Sequence, residues 1–228
     1  MKSLLPDNEP EDTCTFELLE RNELSGDTFE LAMSRPSAFN FLPGQRIRIL
    51  HGDIERDYSI ISTPQDEKIS LCVRRVEDGK FSPYLTSANP GQKFIFEGPL
   101  GYFTFQSSER PSVFVATGTG LAPFISMARS GVRGFTLLHG VSRSEDSYYE
   151  ALWEETSDLY VQCLSDTAAQ IRDFKNIFGG RVTDYLVHQL PCKPYDFYLC
   201  GSGEMIRDAI YIIDELFHGS FVRTEIYY

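Results

Sequence analysis

Four short stretches of this chain mix aromatic, cationic, hydroxyl and thiol side chains with glycine: Arg56-Asp57-Tyr58-Ser59, Asp78-Gly79-Lys80-Phe81-Ser82, Thr117-Gly118-Thr119-Gly120-Leu121-Ala122-Pro123 and Cys200-Gly201. On a strand, Arg56 and Tyr58 share one face and Ser59 points to the other. The Tyr58 ring offers a platform for a planar heterocycle, Arg56 can pair with a phosphate, and Ser59 can donate at the heterocycle's edge. Those are the needs of a flavin, with Ser59 reaching toward N5, where a hydride lands. In the second stretch Gly79 lets the backbone approach a ligand. Ser82 is placed to cap a short helix whose free N–H groups face an anion such as pyrophosphate. Between them lies Leu71-Cys72-Val73-Arg74-Arg75, a strand with a cationic end.

The later stretches suit a nicotinamide dinucleotide. Val113 to Ala116 is an apolar strand, followed by the turn Thr117-Gly118-Thr119-Gly120 and by Pro123 where a helix would begin. Gly118 and Gly120 permit a tight turn and close approach of a pyrophosphate to a helix N-terminus. The pattern is not the GxGxxG fingerprint. Cys200-Gly201 ends a later strand, and at the carboxyl edge of a parallel sheet such a turn faces the ligand crevice. Taken singly, each stretch also fits a plain structural role: an alternating surface strand, a turn with a helix cap, a βα turn, a buried thiol. Their order and joint presence are what imply electron transfer.

Elements that would position these residues follow from periodicity. Residues 13–105 read as strands: Thr13–Glu23, Thr28–Met33, Arg46–Leu50, Tyr58–Ser62, Ile69–Arg75 and Lys93–Glu97, with a short helix from Ser82 to about Ala88. Short strands at this spacing indicate a small closed barrel. After the polar link Gln106 to Pro111 the pattern becomes strand–helix alternation, hence parallel strands and a doubly wound sheet. Strands are expected at Val113–Ala116, Phe135–Gly140, Tyr160–Leu164, Phe197–Leu199 and Val222–Tyr227, and helices at Pro123–Ala128, Tyr148–Glu155, Arg181–Gln189 and Met205–Phe217. The expected domains are 1–106, an antiparallel flavin-binding barrel, and 107–228, an α/β nucleotide-binding unit.

Composition narrows the partners. The 228 residues carry a formal net charge of -12, spread evenly, which argues against nucleic acid and anionic membrane surfaces. No secretory leader or membrane span is evident, so the cytoplasm is the expected location. The five cysteines show no CxxC spacing, so no self-contained zinc or iron–sulfur site is expected. The four histidines lack metal-ligand spacing and read as surface or satisfied polar residues.

Together the four stretches, with Leu42-Pro43-Gly44-Gln45 and Gly98-Pro99-Leu100-Gly101-Tyr102-Phe103, resemble the ferredoxin–NADP reductase family from about Phe16 to Tyr228. The resemblance implies a Greek-key flavin barrel followed by a nucleotide-binding domain. It implies FAD held by Arg56, Asp57, Tyr58 and Ser59, lined by Cys72, Val73 and Arg74, and covered at its pyrophosphate by Gly79, Lys80, Phe81 and Ser82. It further implies a nicotinamide nucleotide on Thr117, Gly118, Thr119, Gly120 and Pro123, with Cys200 and Gly201 beside the nicotinamide. Ser59, Cys200 and Glu225 are the expected catalytic residues, and the terminal aromatic Tyr228 should cover the flavin ring or the adenine. Arg143 and Arg181 are candidates for a 2′-phosphate, so NADP(H) is the expected nucleotide, with NAD(H) the alternative. The implied partner is ferredoxin, flavodoxin or another redox protein, and a monomer is expected. The negative field would oppose an acidic ferredoxin. Two other readings remain open: the reductase component of an oxygenase or a flavin reductase, and a flavin-free binding subunit of the same fold.

Overall fold

A computed structural model describes residues 13–143, 146–166 and 176–227. The first six strands are β1 (Thr13–Ser25), β2 (Thr28–Ser34), β3 (Arg46–His51), β4 (Ile54–Ser59), β5 (Lys68–Arg74) and β6 (Lys93–Leu100), with helix α1 (Ser82–Thr86) between the last two. They form an antiparallel sheet in the order β4-β3-β6-β1-β2-β5. The edges meet where Ile60 bridges Leu71 and the Ile61 N–H donates to the Ser70 carbonyl at 2.9 Å, closing a barrel. The alternating apolar residues fill it, with Phe16, Leu18, Leu31, Ile47, Ile49, Leu71 and Phe96 fully enclosed.

The sequence expectation for β4 began too late. The strand spans Ile54–Ser59 because it is the return arm of a tight hairpin with β3, pairing Arg46 with Ser59 and His51 with Ile54. Residues 60 to 62 leave that ladder to close the barrel against β5.

The second half contains β7 (Ser112–Thr117), α2 (Ala122–Arg129), β8 (Phe135–Val141), α3 (Glu150–Thr156), β9 (Ser157–Leu164), β10 (Ile177–Gly179), α4 (Val182–His188), β11 (Asp196–Ser202), α5 (Gly203–Leu216) and β12 (Phe221–Tyr227). Its parallel sheet runs β10-β9-β8-β7-β11-β12. The helix expected from Tyr148 starts two residues later, because Tyr149 takes a left-handed φ of 63° just before it. The three-residue strand β10 was too short to be read from periodicity. Chain order reverses direction between β7 and β11, and a parallel sheet opens a ligand crevice at such a switch point. Among the described residues no helix is long and apolar enough to cross a membrane.

The two halves pack closely. The Ser126 hydroxyl donates to the Ser62 carbonyl at 2.7 Å, and Tyr149 donates to the Glu30 carboxylate at 2.5 Å. Gln106 and Tyr198 exchange hydrogen bonds at 2.9 and 3.3 Å where the connecting segment passes β11.

Candidate functional site

The glycine turn between β7 and α2 begins with Gly118 at φ +53°, a left-handed conformation that suits glycine. A Cβ built on Gly118 would meet nothing within 4 Å, because it faces open space. Gly120 is required by a close approach within the protein itself. A Cβ there would lie 2.3 Å from the Cys200 carbonyl oxygen and 2.9 Å from the Gly201 Cα. Its missing Cβ lets the β7 turn pass against the end of β11. Gly201, at φ +139°, is crowded in return by the Thr117 Oγ1, which also accepts from the Ser202 N–H at 3.1 Å. Pro123 lies buried within the first turn of α2.

These turns wall a cleft of about 450 Å³ lined by Thr117, Gly118, Thr119, Gly201, Arg181 and Tyr227, among others. Arg74 and Asp27 of the barrel also line it, joined by an ion pair of 2.9 Å. Arg181 is exposed on the cleft wall, 3.5 Å from Glu204, and Arg143 pairs with Asp146 at 3.2 Å. Both arginines thus stand beside carboxylates of the same region.

At the inner end, strand β12 brings Glu225 and Tyr227 onto one face while Ile226 points to solvent. The Tyr227 hydroxyl donates to Ser59 Oγ at 2.6 Å across the two halves. Ser59 is buried, and having accepted this bond it keeps its own proton for another partner. Cys200 is fully buried beside Tyr227, and burial pushes both groups well above their ordinary pKa values. Cys200 is therefore a neutral thiol here. Glu225 pairs with Arg46 through Oε2 at 3.0 Å, whereas its Oε1 is buried without a partner. Burial raises the Glu225 carboxyl, and the Arg46 charge only partly offsets this.

The structure gathers Ser59, Thr117, Cys200, Gly201 and Glu225 as expected. Other residues sit differently. Asp57 is an ion-pair anchor, accepting from Arg46 at 2.8 Å and Arg48 at 2.7 Å. Burial alone would raise its carboxyl, but these two arginines outweigh it and hold it below the ordinary value. Asp57→Asn is expected to lose about 1 kcal/mol of stability near neutral pH. A depressed carboxylate contributes above its unfolded pKa and loses that contribution as pH falls, so the gap to wild type should close below about pH 4. Urea unfolding of both proteins at stepped pH checks this.

Val73 points into the barrel core while Cys72, its alternate, faces the domain interface. Val73 therefore keeps its side chain out of the crevice, whereas Arg74, one residue further on, lines it. Phe81 is likewise a core residue, 6.4 Å from the half-buried Tyr58 ring. Ser82 does not cap α1; Phe81 holds that position, and Ser82 Oγ accepts from the Val76 N–H at 3.0 Å, closing the loop around Gly79. Arg56 and Lys80 are exposed cations. Tyr228 lies outside the described residues. The aromatic at the site is Tyr227, and the Glu-x-aromatic pattern of residues 225 to 227 together with strand alternation was the signal for it. Arg46 had no signal beyond its charge.

The donor set suits both cofactors. The open space over Gly118 fits a backbone-cradled phosphate, and the buried, unpartnered Glu225 Oε1 lies on the same strand face as Tyr227, which lines the cleft. On the barrel, Tyr58 with the cations Arg56 and Lys80 fits a flavin with its phosphates.

Residues 15–105 match the oxidoreductase FAD-binding domain family, and residues 114–210 match the oxidoreductase NAD-binding domain family. The chain therefore joins an oxidoreductase FAD-binding domain to an oxidoreductase NAD-binding domain and has the ferredoxin–NADP reductase family fold. It is 31% identical over 208 residues to the 2-halobenzoate 1,2-dioxygenase electron transfer component of Burkholderia cepacia, covering 86% of this chain and 61% of that protein. It is 38% identical over 133 residues to ferredoxin–NADP reductase B of Sorangium cellulosum, covering 53% of this chain and 54% of that protein. The fold matches a ferredoxin–NADP reductase from Neisseria gonorrhoeae with bound FAD and NADP at a TM-score of 0.77 and 20% identity, over 94% of this chain and 99% of that one. The chain spans less than two thirds of the length of the two curated relatives described here.

Proposed function

We propose that this chain oxidises NAD(P)H through FAD and passes the electrons to a one-electron protein carrier, with residues 1–106 as the flavin unit and 107–228 as the nucleotide unit. The observation that carries the reading is the Tyr227–Ser59 hydrogen bond beside Cys200, which joins the two halves one strand away from the switch point of the parallel sheet. FAD, when bound, supplies the redox chemistry by taking two electrons together and releasing them singly.

The chain's own residues bind, orient and exclude water. Tyr58 and Arg56 would hold the flavin ring and phosphate, and Thr117 to Gly120 the nucleotide phosphates. Tyr227 would screen the reacting faces from solvent, held in place by Ser59. Ser59 keeps a free proton directed away from Tyr227, and Glu225 can store a proton beside Arg46. Arg181 and Arg143 would receive a 2′-phosphate if NADPH is the donor.

A second reading, a reductase segment serving an oxygenase, is favoured by the relatives named as dioxygenase electron transfer components. The net charge of -12 also disfavours an acidic ferredoxin as acceptor. An absorbance spectrum of the purified protein, titrated anaerobically with NADPH and then NADH, tests the core reading. A flavin spectrum that bleaches with one of them is expected; a colourless protein that takes up no added FAD would sink it. Steady-state rates with and without ferredoxin separate the two acceptor readings.

A further inference from the structure

We propose that His139 is a positioning residue that aims the Thr119 N–H at the diphosphate of the nicotinamide nucleotide, acting through the Gly118 carbonyl. The inference rests on the nucleotide-binding reading of the cleft. His139 lies on β8, wholly buried beneath the glycine turn. Its Nε2 is 3.1 Å from the Gly118 carbonyl oxygen, and its Nδ1 is 3.3 Å from the Tyr160 hydroxyl. The Tyr160 hydroxyl is in turn 2.9 Å from Ser147 Oγ.

The direction of every bond in this line follows from two facts. A carbonyl oxygen can only accept, so Nε2 carries the proton. Burial holds the imidazole pKa down to about 4, so the ring is neutral and Nδ1 has a lone pair. Tyr160 therefore donates to Nδ1. Its oxygen is left to accept from the Ser147 hydroxyl. The line runs from Ser147 through Tyr160 and His139 to Gly118, with no ambiguity of tautomer.

The consequence lies one peptide further. A trans peptide is planar, and its C=O and N–H point in opposite directions. With the Gly118 carbonyl drawn inward to His139, the Thr119 N–H must point outward. Thr117, Gly118 and Thr119 are the residues that face the cleft. The left-handed φ of Gly118 permits this orientation, and His139 selects it over the flipped peptide, which would present a carbonyl to the phosphate. The other end of the line, Ser147, sits between Asp146 and Tyr148, both of which line the same cleft. The glycine turn and the loop after β8 are thereby tied to each other.

Calorimetric titration of the FAD-loaded protein with ADP tests this. His139→Leu should weaken ADP binding about tenfold, the size expected for misaiming one charge-assisted hydrogen bond. His139→Gln, whose amide can donate to Gly118 and accept from Tyr160, should stay within about threefold of wild type. The KM for the nicotinamide substrate should rise in the Leu variant with kcat at saturation unchanged, a split that general loosening of the fold would not produce. ADP binding unchanged in His139→Leu overturns the proposal, as does a Gln variant as weak as the Leu variant. Should the Leu variant fail to fold, Tyr160→Phe, which removes the donor to Nδ1, should weaken ADP about threefold, and unchanged binding overturns the proposal. Wild-type protein that binds neither NAD+ nor NADP+ instead overturns the functional reading beneath it, and the proposal with it.

Discussion

Gly120→Ala is expected to lower the unfolding free energy by about 3 kcal/mol and to weaken nicotinamide nucleotide binding more than about tenfold. The added methyl would meet the Cys200 carbonyl oxygen at 2.3 Å, its carbon at 2.7 Å and the Gly201 Cα at 2.9 Å. All three are backbone atoms at the end of an interior strand of a six-stranded sheet, so no side chain can rotate away. Either the turn after β7 lifts or the end of β11 is displaced, and the cleft walls move in both cases. Gly118→Ala provides the contrast within the same turn. Its methyl would meet nothing within 4 Å, so only the left-handed φ of +53° is penalised, at about 1 kcal/mol. Chemical denaturation and nucleotide titration of the two variants decide the matter. A Gly120 variant no worse than the Gly118 variant would mean that the close approach of β7 and β11 carries no energetic weight.

Ser59→Ala is expected to slow NAD(P)H oxidation about 10²-fold while the protein stays yellow. Ser59 Oγ is the acceptor that holds the Tyr227 hydroxyl at 2.6 Å, and its own proton is the one donor it has left to direct into the crevice. The substitution removes that donor and frees the Tyr227 ring in one step. It deletes a single oxygen and leaves the barrel packing intact, so flavin content should not change. Stopped-flow reduction under anaerobic conditions measures the rate, and the flavin-to-protein absorbance ratio controls for binding. A rate equal to wild type removes Ser59 from the reaction; loss of colour would make its role one of holding the flavin.

Much of the site was legible because it rests on local rules. Gly118 was readable as a turn residue, and Arg56 to Ser59 as a strand with two faces, since both depend on neighbours within a few positions. The failures have equally specific causes. The resemblance implied Val73 and Phe81 at the flavin as members of the runs 72–74 and 79–82, yet strand alternation and the barrel interior claim their side chains. Ser82 looked like a cap, but the Val76 N–H, brought back by the loop, took its hydroxyl. His139 looked like any isolated histidine, and nothing local shows that a glycine carbonyl lies 3.1 Å away.

What the chain's order of residues settled alone was the division into an antiparallel unit and a parallel one, the glycine turns between strand and helix, and the kinds of cofactor these suit. Periodicity and turn chemistry act over a few residues and survive without knowledge of the whole. What only the folded molecule decided was which groups meet: Tyr227 with Ser59 across 168 positions, and Glu225 with Arg46 across 179. Those meetings depend on the register that sets Cys200 opposite Glu225, and on the barrel closing beside that edge. Register is chosen by the packing of entire sheets against one another, a sum over many distant contacts that no local stretch contains.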